Sequence, residues 1–348
     1  SGLIARSVTR NAGDHGEHYI TRDKKEYWAM FYSAAGGGVL IALMALFKTY
    51  LGSIIDDKVW KGLAEGLNYG FGFMVIFMLH FTVATKQPAM TAARFAEAVE
   101  KNPQGKTLNM KLAQLLVDVF RSQSVAVLGN VVVAMGLAAL IAFVYQHQTG
   151  EPLMNSEKIA YQLHRIDPLD GSLWFAAIAG VWLFCSGIIS GYFDNRSNYL
   201  NMRMRLAQHP LLKKLMSEKS RVKFANYMHE NYGSLIGNFC FGMLLGLTGL
   251  VGYLTHLPLD IRHVAFSSAN LGYSAVSGQF AYPFFLQCIG FVLLIGLVNL
   301  MVSFSLTLWV ALRSLNTEID SWWAIWHEVY QIVRKRPLSL FFPVQLDK

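Results

Sequence analysis

Long runs of uncharged residues limit most strongly what this chain can fold into. Six runs reach about 20 residues each, the length at which a helix crosses a hydrocarbon core of about 30 Å. Only 15% of the 348 residues are charged, whereas a soluble domain is about 25% charged. Because a backbone in lipid must satisfy its own hydrogen bonds, the sequence predicts an all-α polytopic membrane protein with six transmembrane helices.

The predicted spans divide the chain into three parts. The spans are 28–47, 67–85, 125–145, 173–193, 235–257 and 284–312. They form a transmembrane domain over 28–312, between an N-terminal arm of residues 1–27 and a C-terminal amphipathic helix and tail over 313–348. Further amphipathic helices are predicted outside the spans, at 89–101, 108–122 and 199–232. Because the chain begins with Ser1 and not with Met, we expect a processed or truncated form of a longer parent.

Lysine and arginine are distributed unevenly between the two sides of the predicted membrane. The segments that hold 24 of the 30 are 1–27, 86–122, 194–234 and 313–348, and those that hold the other six are 48–66, 146–172 and 258–283. Cytoplasmic loops carry the excess of positive charge in such proteins, so both termini are predicted in the cytoplasm. The formal net charge of +8 thus reflects topology, and it favours anionic membrane lipids as partners at the cytoplasmic face.

Polar residues cluster near the cytoplasmic ends of the predicted spans. At the end of the second span, His80, Ala84 and Gln87 share one face of the predicted helix. Pro88 ends that helix, and Lys86 reaches the headgroups. The other candidates are Asn130, Asn238, Asp194 and Arg196. Two interpretations remain open: hydrogen bonds or ion pairs that only join helices, and a polar cavity that holds a ligand head group or relays protons.

Small residues follow several predicted spans and predict close helix packing. Glycine lets two helix backbones approach each other, and the spans contain the run Gly36–Gly38 and several glycine pairs four residues apart. The triple glycine also allows a broken helix that lines a substrate path. A short similarity between residues 123–135 and 231–243 suggests a parallel repeat, in which spans three and four match spans five and six.

One segment predicted on the outer side is rich in polar residues yet too apolar for a free loop. The polar residues crowded here are Asp260, Arg262, His263, Ser267, Ser268 and Asn270. Of these, Asp260, Arg262, His263 and Asn270 are the candidate site residues. We predict a packed or re-entrant segment here. Serine, histidine and aspartate occur together, but the G-x-S-x-G nucleophile elbow of hydrolases is absent from the sequence.

The sequence contains no recognisable motif for catalysis, for a cofactor or for a metal. Cys185, Cys240 and Cys288 lie singly in apolar runs, which predicts small core residues and not a disulfide or zinc site. In the N-terminal arm, His15 and His18 lie beside two acidic residues, but this short pattern favours a polar turn over a metal site. The sequence therefore argues against an enzyme and predicts neither a cofactor nor a metal.

Several stretches together resemble one protein family. They are GEHYITRD at 16–23, SAAGGG at 33–38, LHFTVATKQPAMT at 79–91, GYFDN at 191–195 and PLDIRH at 258–263. Through nearly the whole chain the sequence resembles the bacterial membrane-protein family named site-specific recombinase (Gcr type). The resemblance implies a bacterial inner-membrane protein, usually with a further N-terminal region, and it brings no established catalytic residue.

Three functions remain open from the sequence. The polar residues of spans two, three and five favour membrane transport or the handling of lipids or amphiphiles, through a cavity near the cytoplasmic side. The family name implies DNA strand exchange or a DNA-linked membrane protein, but no predicted cytoplasmic segment exceeds 41 residues, which argues against nucleic acid as a partner. The third is a scaffold that docks a soluble partner, or the further N-terminal region, on its basic face. The sequence sets neither the substrate nor the oligomeric state.

Overall fold

The computed structural model describes residues 20–21, 23–84, 88–101 and 105–343, and all regular secondary structure in these ranges is helical. The helices are α1 (Lys24–Ile54), α2 (Lys58–Met78), α3 (Pro88–Lys101), α4 (Lys106–Thr149), α5 (Ser156–Ile166), α6 (Ser172–Tyr199), α7 (Met202–Gln208), α8 (Pro210–Leu215), α9 (Glu218–Thr255), α10 (Val264–Ser277), α11 (Tyr282–Ser314) and α12 (Trp322–Lys335). Short 3-10 turns occupy Pro168–Asp170 and Pro337–Leu340.

Five helices are long and apolar enough to cross a membrane: α1, α4, α6, α9 and α11. In the most apolar window of each helix, only 28% to 44% of the residues are buried inside the protein. Most residues of these windows are therefore at least partly exposed on the outside of the bundle, as suits helices in contact with lipid. The predicted all-helical class is confirmed, and these helices extend past the predicted spans at every end except that of α9, which stops at Thr255.

The second predicted span, 67–85, continues past the end of its helix. Its helix, α2, begins at Lys58 because the Asp57 carboxylate accepts hydrogen bonds from the backbone N–H groups of Val59 and Trp60, which caps the helix. The helix ends at Met78. Its first half carries charged residues, and α2 is not among the five helices above.

His80 ends α2 and does not belong to a helix face. Its φ is +58°, the left-handed conformation that follows many helix C-termini. The N–H of His80 donates to the carbonyl of Phe77, and the N–H of Phe81 donates to the carbonyl of Ile76, each at 2.9 Å. These are the two hydrogen bonds of a Schellman motif, which closes the last turn of a helix.

Because α2 ends at Met78, the residues that follow it do not continue the predicted helix. The predicted helix face of His80, Ala84 and Gln87 is wrong, because Ala84 lies in a non-helical segment beyond the end of α2. Pro88 begins α3 instead of ending α2, in the first-turn position that suits proline. Lys86 and Gln87 lie outside the described residues, as do His15 and His18 of the N-terminal arm.

The long helices alternate in direction through the bundle. α1 and α4 run parallel, α2 and α9 run antiparallel, α6 and α9 run antiparallel, and α6 and α11 run parallel. The contacts that define these directions are Gly129 with Ala34, Gly38 with Ala134, Gly62 with Leu250, Gly70 with Phe239, Gly237 with Ser190, Trp182 with Thr248, Ala176 with Asn299 and Gly180 with Val302.

The two ends of this bundle are distinct. At one end, which we call the terminal end, Arg121 donates to the backbone carbonyls of Thr21 and Ser339, so the start and the finish of the described chain lie together. At the opposite end, which we call the cavity end, the connections after α1, α4 and α9 surround a cavity. The three segments poor in lysine and arginine all contribute to the cavity end.

Two non-helical segments fold back into the bundle, and each is followed by a helix of 14 residues. Residues 79–84 lead to α3, and residues 256–263 lead to α10. Arg262, His263 and most of α10 are buried, so the prediction of a packed segment at 258–270 is confirmed.

Glycine packs the helices at close range, as the sequence predicts. α1 is continuous through Gly36–Gly38, so the alternative of a broken helix is wrong. A Cβ atom on Gly37 would collide with the backbone carbonyl of Thr82, and one on Gly246 would collide with the backbone of Gly66. These contacts bring α1 against the first folded-back segment and α2 against α9.

The predicted amphipathic helices take different forms. Residues 108–122 belong to α4 and are not a separate helix, and residues 199–232 divide among α7, α8 and the first turns of α9. α12 lies against α3 and α4, and the Trp322 ring stacks on Phe95 at a centroid distance of 6.2 Å. Trp323 and Trp326 are exposed, as suits a helix at the headgroup level.

The substitution His80→Gly tests whether His80 acts as a helix terminator. Glycine takes the left-handed conformation without the steric cost that histidine carries, so we expect the free energy of unfolding to rise by about 1 kcal/mol. The measurement is the melting temperature of the purified protein in detergent. His80→Val is the matched control and should lower it, because a β-branched side chain disfavours this conformation. A lower melting temperature for His80→Gly would contradict this role.

Candidate functional site

Asn130 of α4 holds the first folded-back segment in place. Its side chain is fully buried. Nδ2 donates to the carbonyls of Thr82, at 2.9 Å, and Ala34, and Oδ1 accepts the N–H of Ala84. Because non-helical backbone inside a bundle has polar groups without helical partners, these bonds remove a large cost. We call this arrangement a clasp, and it confirms the helix-joining interpretation of Asn130.

Asn299 of α11 forms a second clasp with the same pattern. Nδ2 donates to the carbonyls of Arg262, at 2.9 Å, and Ala176, at 2.8 Å, and Oδ1 accepts the N–H of Val264 at 3.1 Å. In both clasps, one amide joins a carbonyl, the N–H two residues later and the carbonyl of an alanine in a neighbouring helix. Asn299 is fully buried, and the sequence analysis did not identify it.

His263 connects the two clasps. Its ring is buried, it lies 6.0 Å from the Phe241 ring and 6.1 Å from the Phe266 ring, and it hydrogen-bonds to the backbone of Ala84. Burial lowers the pKa of His263 to about 4, although the bond to Ala84 opposes the shift. The imidazole is therefore neutral at pH 7.

A cavity of about 490 Å³ opens at the cavity end, a volume typical of small-molecule sites. Its walls come from α1, α2, α5, α9 and residues 259–270. The charged residues of the lining are Lys48, Lys58, Lys61, Lys158, Arg165, Arg262, Glu65 and Asp260. Six positive side chains thus face two negative ones, and the cavity is suited to an anion.

Asp260 lies between two arginines in the cavity wall. Its Oδ2 accepts hydrogen bonds from Arg165, at 3.0 Å, and Arg262, at 2.6 Å. Burial alone would raise the pKa of the Asp260 carboxyl, but the two guanidinium groups lower it to about 2. The carboxylate is therefore ionised, and it orients both arginines while cancelling only one of their charges. It serves these arginines and not His263, which argues against a hydrolase triad.

The other polar groups of the lining are less constrained. Lys48 pairs with Glu65 at 3.3 Å, whereas Lys61 and Lys158 form no ion pair with any residue in the described ranges. Ser267 and Asn270, in the first two turns of α10, add neutral hydrogen-bonding groups. The cavity thus combines oriented arginines with lysines that are available to a ligand.

The candidates predicted near the cytoplasmic side have separate positions. Asn238 donates to the carbonyl of Ser234 in its own helix at 2.7 Å. Arg196 and His80 are exposed, and Asn130 is buried in its clasp. None of these four lines the cavity at the cavity end, and a cavity near the cytoplasmic side stays a prediction.

Asp194, the remaining candidate of that group, joins two helices. Its Oδ1 accepts the backbone N–H of Gly233 in α9 at 2.9 Å. The carbonyl of His229, four residues before Gly233, accepts a hydrogen bond from Ser197 of α6 at 3.2 Å. α6 therefore supplies both a donor and an acceptor to the backbone of α9 at the terminal end.

The four candidates on the outer side are all brought together. Asp260, Arg262, His263 and Asn270 line the cavity. No sequence motif pointed to the cations that accompany them, which are Lys48, Lys58, Lys61, Lys158 and Arg165. A signal was present, because the six cavity cations are all of the lysines and arginines in segments 48–66, 146–172 and 258–283.

The comparisons with known proteins agree with the resemblance in the sequence. A family model described as site-specific recombinase matches residues 1–343. No curated protein and no solved structure matches the chain.

Acidification should weaken the fold through His263. Its ordinary pKa is 6.5 and its folded pKa is about 4, so between these values the unfolded chain binds a proton that the folded chain does not. Stability is complete above about pH 6.5 and falls by about 1.4 kcal/mol per pH unit down to about pH 4. Melting temperatures across this range should fall less steeply for His263→Gln, which stays neutral. Equal slopes for the two proteins would contradict the assignment.

Alanine at either clasp should cause a similar loss of stability. Asn130→Ala and Asn299→Ala each remove three hydrogen bonds to buried backbone groups. The alanine carbonyl in each clasp keeps its own helical N–H partner, so the cost falls on the other two groups, at about 1–3 kcal/mol each. Asn68→Ala is the matched control, because Asn68 is half-buried and donates one bond, to the carbonyl of Met44 at 3.0 Å. The measurement is thermal unfolding in detergent. A loss no larger than that of the control would show that the clasps do not hold these segments.

Proposed function

The chain belongs to the site-specific recombinase family, and we propose that it binds a phosphate-bearing amphiphile in its cavity, as a membrane transport or lipid-handling protein. The observation that carries the proposal is the origin of the cavity charge. All six lysines and arginines of the three segments predicted on the outer side line one cavity. Topology disfavours positive charge on that side, so their collection in one place favours a bound anion.

Phosphate suits the donors of this cavity better than a single carboxylate does. Arginine presents planar pairs of N–H groups that match phosphate oxygens, and lysine adds mobile point charges. Arg165 and Arg262 are oriented by Asp260, so little conformational freedom is lost on binding. Lys61 and Lys158 supply further charge from the cavity lining.

An apolar part of the ligand is favoured by the rest of the lining. The apolar residues that share the cavity with the charged groups are Met154, Leu245, Leu250, Ile261 and Phe266. A ligand that contacts both sets has a charged head and an apolar portion, as phospholipids and related amphiphiles have. A soluble organic phosphate has the same charged chemistry without the apolar portion, and binding experiments separate the two.

The arrangement in the membrane is part of the proposal. α2 lies against both α1 and α9, and we assign it as a sixth span despite its charged first half, which reaches the cavity. The terminal end, which carries the larger share of lysine and arginine, faces the cytoplasm. The cavity end then faces the outer side of a bacterial inner membrane.

The second candidate is a DNA-linked function, which the family description favours. Exposed basic residues at α7, α8 and the start of α9 would contact phosphates of the duplex; they are Arg203, Arg205, Lys213, Lys214 and Lys219. A sequence-specific complex that resists salt would support this candidate. Binding that salt abolishes would leave anionic lipid as the partner of this surface, and a stoichiometric co-purified protein would favour a scaffold.

Neutralising two free lysines should weaken anion binding. We expect Lys61→Gln with Lys158→Gln to raise the Kd for phosphatidylglycerol about tenfold, because about 1.4 kcal/mol of charge attraction is lost. Titration of the purified protein with phosphatidylglycerol and with phosphatidylcholine measures it, and glycerol 3-phosphate serves as the soluble phosphate. Lys24→Gln with Lys25→Gln changes the charge equally at two exposed lysines, outside both the cavity and the basic surface of α7 to α9, and should leave the Kd unchanged. Equal effects of the two double variants would contradict the cavity as the binding site.

A further inference from the structure

We infer that the chain consists of two repeats of opposite orientation, and that exchange between two arrangements of these repeats carries the cavity's ligand across the membrane. The inference rests on the proposed function, because it needs an anion in the cavity. It goes further in assigning a transport mechanism to a bound ligand. Five features support it: helix order, helix direction, helix neighbours, hydrogen bonding and a difference between the two ends of the bundle.

The two halves have the same order of elements. In the first half, the long helices α1 and α2 lead to the folded-back segment 79–84, to α3 and to the long helix α4. In the second half, α6 and α9 lead to the folded-back segment 256–263, to α10 and to the long helix α11. α3 and α10 have the same length of 14 residues. The short helices α7 and α8 are an insertion between α6 and α9.

Each helix of the first half runs opposite to its counterpart in the second half. α1 and α4 run from the terminal end to the cavity end, and α6 and α11 run the other way. α3 leads from the Asn130 clasp to the start of α4, toward the terminal end. α10 leads from the Asn299 clasp toward the cavity end, where the Met154 N–H donates to the Ser277 hydroxyl at 3.3 Å. Such inverted repeats are the plan of many secondary transporters.

The neighbours of the two short helices are exchanged in the same way. α3 lies against α4 of its own half and against α11 and α6 of the other half. α10 lies against α11 of its own half and against α4 and α1 of the other half. This is the relation that a two-fold axis in the membrane plane produces.

The clasps give the register between the halves. Their equivalent residues are Asn130 and Asn299, Thr82 and Arg262, Ala84 and Val264, and Ala34 and Ala176. All three hydrogen bonds correspond atom by atom. The hydrogen bond of His263 to Ala84 joins the two folded-back segments where the halves meet.

The two ends of the bundle differ, as one of two exchanging states should. At the terminal end, α6 and α9 are in close contact: Asp194 binds Gly233, and a Cβ atom on Gly237 would collide with Ser190. At the cavity end, their counterparts α1 and α2 approach each other through long side chains, such as the pair Lys48 and Glu65, and both line the cavity. In the described part of the chain, α6 and α9 are thus closed against each other at the terminal end, whereas a cavity opens at the cavity end.

The alternative state follows from exchanging these two arrangements. α6 and α9 would separate at the terminal end, and α1 and α2 would close at the cavity end. The clasps lie between the two ends and keep their hydrogen bonds. A ligand held by Arg165 and Arg262 would then leave toward the terminal end.

A disulfide that holds the terminal end closed tests the exchange. The variant carries Asp194→Cys and Gly233→Cys, and its three natural cysteines are changed to alanine. It is reconstituted into vesicles of phosphatidylcholine and phosphatidylglycerol. Quenching by dithionite follows the movement of fluorescent phosphatidylglycerol between leaflets, and labelled glycerol 3-phosphate inside the vesicles tests a soluble phosphate. We expect oxidation to slow transport at least about tenfold, to leave the Kd for phosphatidylglycerol within about twofold, and to be reversed by reduction.

Two further cysteine pairs serve as controls. The first controls for misfolding caused by replacing a glycine, and the second for effects of oxidation that do not depend on locking α6 to α9. Ser197→Cys with His229→Cys joins α6 to α9 without replacing a glycine, at a pair whose side chains lie 3.1 Å apart, and should behave like the first pair. His164→Cys with Asp170→Cys replaces an exposed pair at 2.6 Å and leaves α6 and α9 free, so its oxidation should not slow transport.

The outcomes separate the inference from the proposed function. Equal transport by the oxidised and reduced forms of both locking pairs would overturn the inference. A wild-type protein that binds phosphatidylglycerol but moves neither probe would also overturn it, while the proposed binding function would stand. Absence of binding to either phosphate probe would remove the proposed function and the inference together.

Discussion

Polar backbone groups that leave a helix inside a membrane need partners within the protein, and the rest of this structure depends on how two asparagines supply them. Asn130 and Asn299 each fix one folded-back segment to two helices through three hydrogen bonds. The second clasp also determines where the cavity lies, because it binds the carbonyl of Arg262 and the N–H of Val264. The Asn299 amide therefore fixes the position of the cavity lining without itself lining the cavity.

Contacts within the protein stabilise the positive charge of the cavity wall without a ligand. Two arginines in a partly buried wall would repel each other, but the carboxylate of Asp260 lies between them and the Arg262 guanidinium packs 4.8 Å above the Phe175 ring. A buried charge is tolerated when it is paired and hydrogen-bonded. The site thus keeps an excess of positive charge at the end of the bundle where sequence topology provides least of it.

The sequence predicted the helical class and the five helices that could cross a membrane, because long uncharged runs act locally and a helix satisfies its own backbone. It did not predict the end of α2, because that end depends on His80 taking a left-handed conformation that glycine usually takes. Asn299 was missed because a single amide in an apolar run gives no pattern, and its partners Arg262 and Ala176 lie 37 and 123 residues away. The sequence similarity paired Asn130 with Asn238, whereas hydrogen bonding pairs it with Asn299.

In the sequence, the cavity cations were recognisable only as the six lysines and arginines of the segments predicted on the outer side. Lys48, Lys158 and Arg262 lie in three segments far apart along the chain, and only the packing of helix ends brings them together. Each segment alone resembles an ordinary loop with few charges. The sequence gives the number of cations in these loops. Only the three-dimensional fold shows that all of them line the same cavity.

The two clasps hold backbone in the same way and yet present different side chains, and this difference has an evolutionary consequence. Where one half has Thr82 and Val83, the other has Arg262 and His263, so the side chains that line the cavity come from a single copy of the motif. Side chains along 260–270 can therefore change without altering the backbone hydrogen bonds that keep either segment in place. In this short stretch the side chains line the cavity. The main chain makes the hydrogen bonds that hold the segment in the fold.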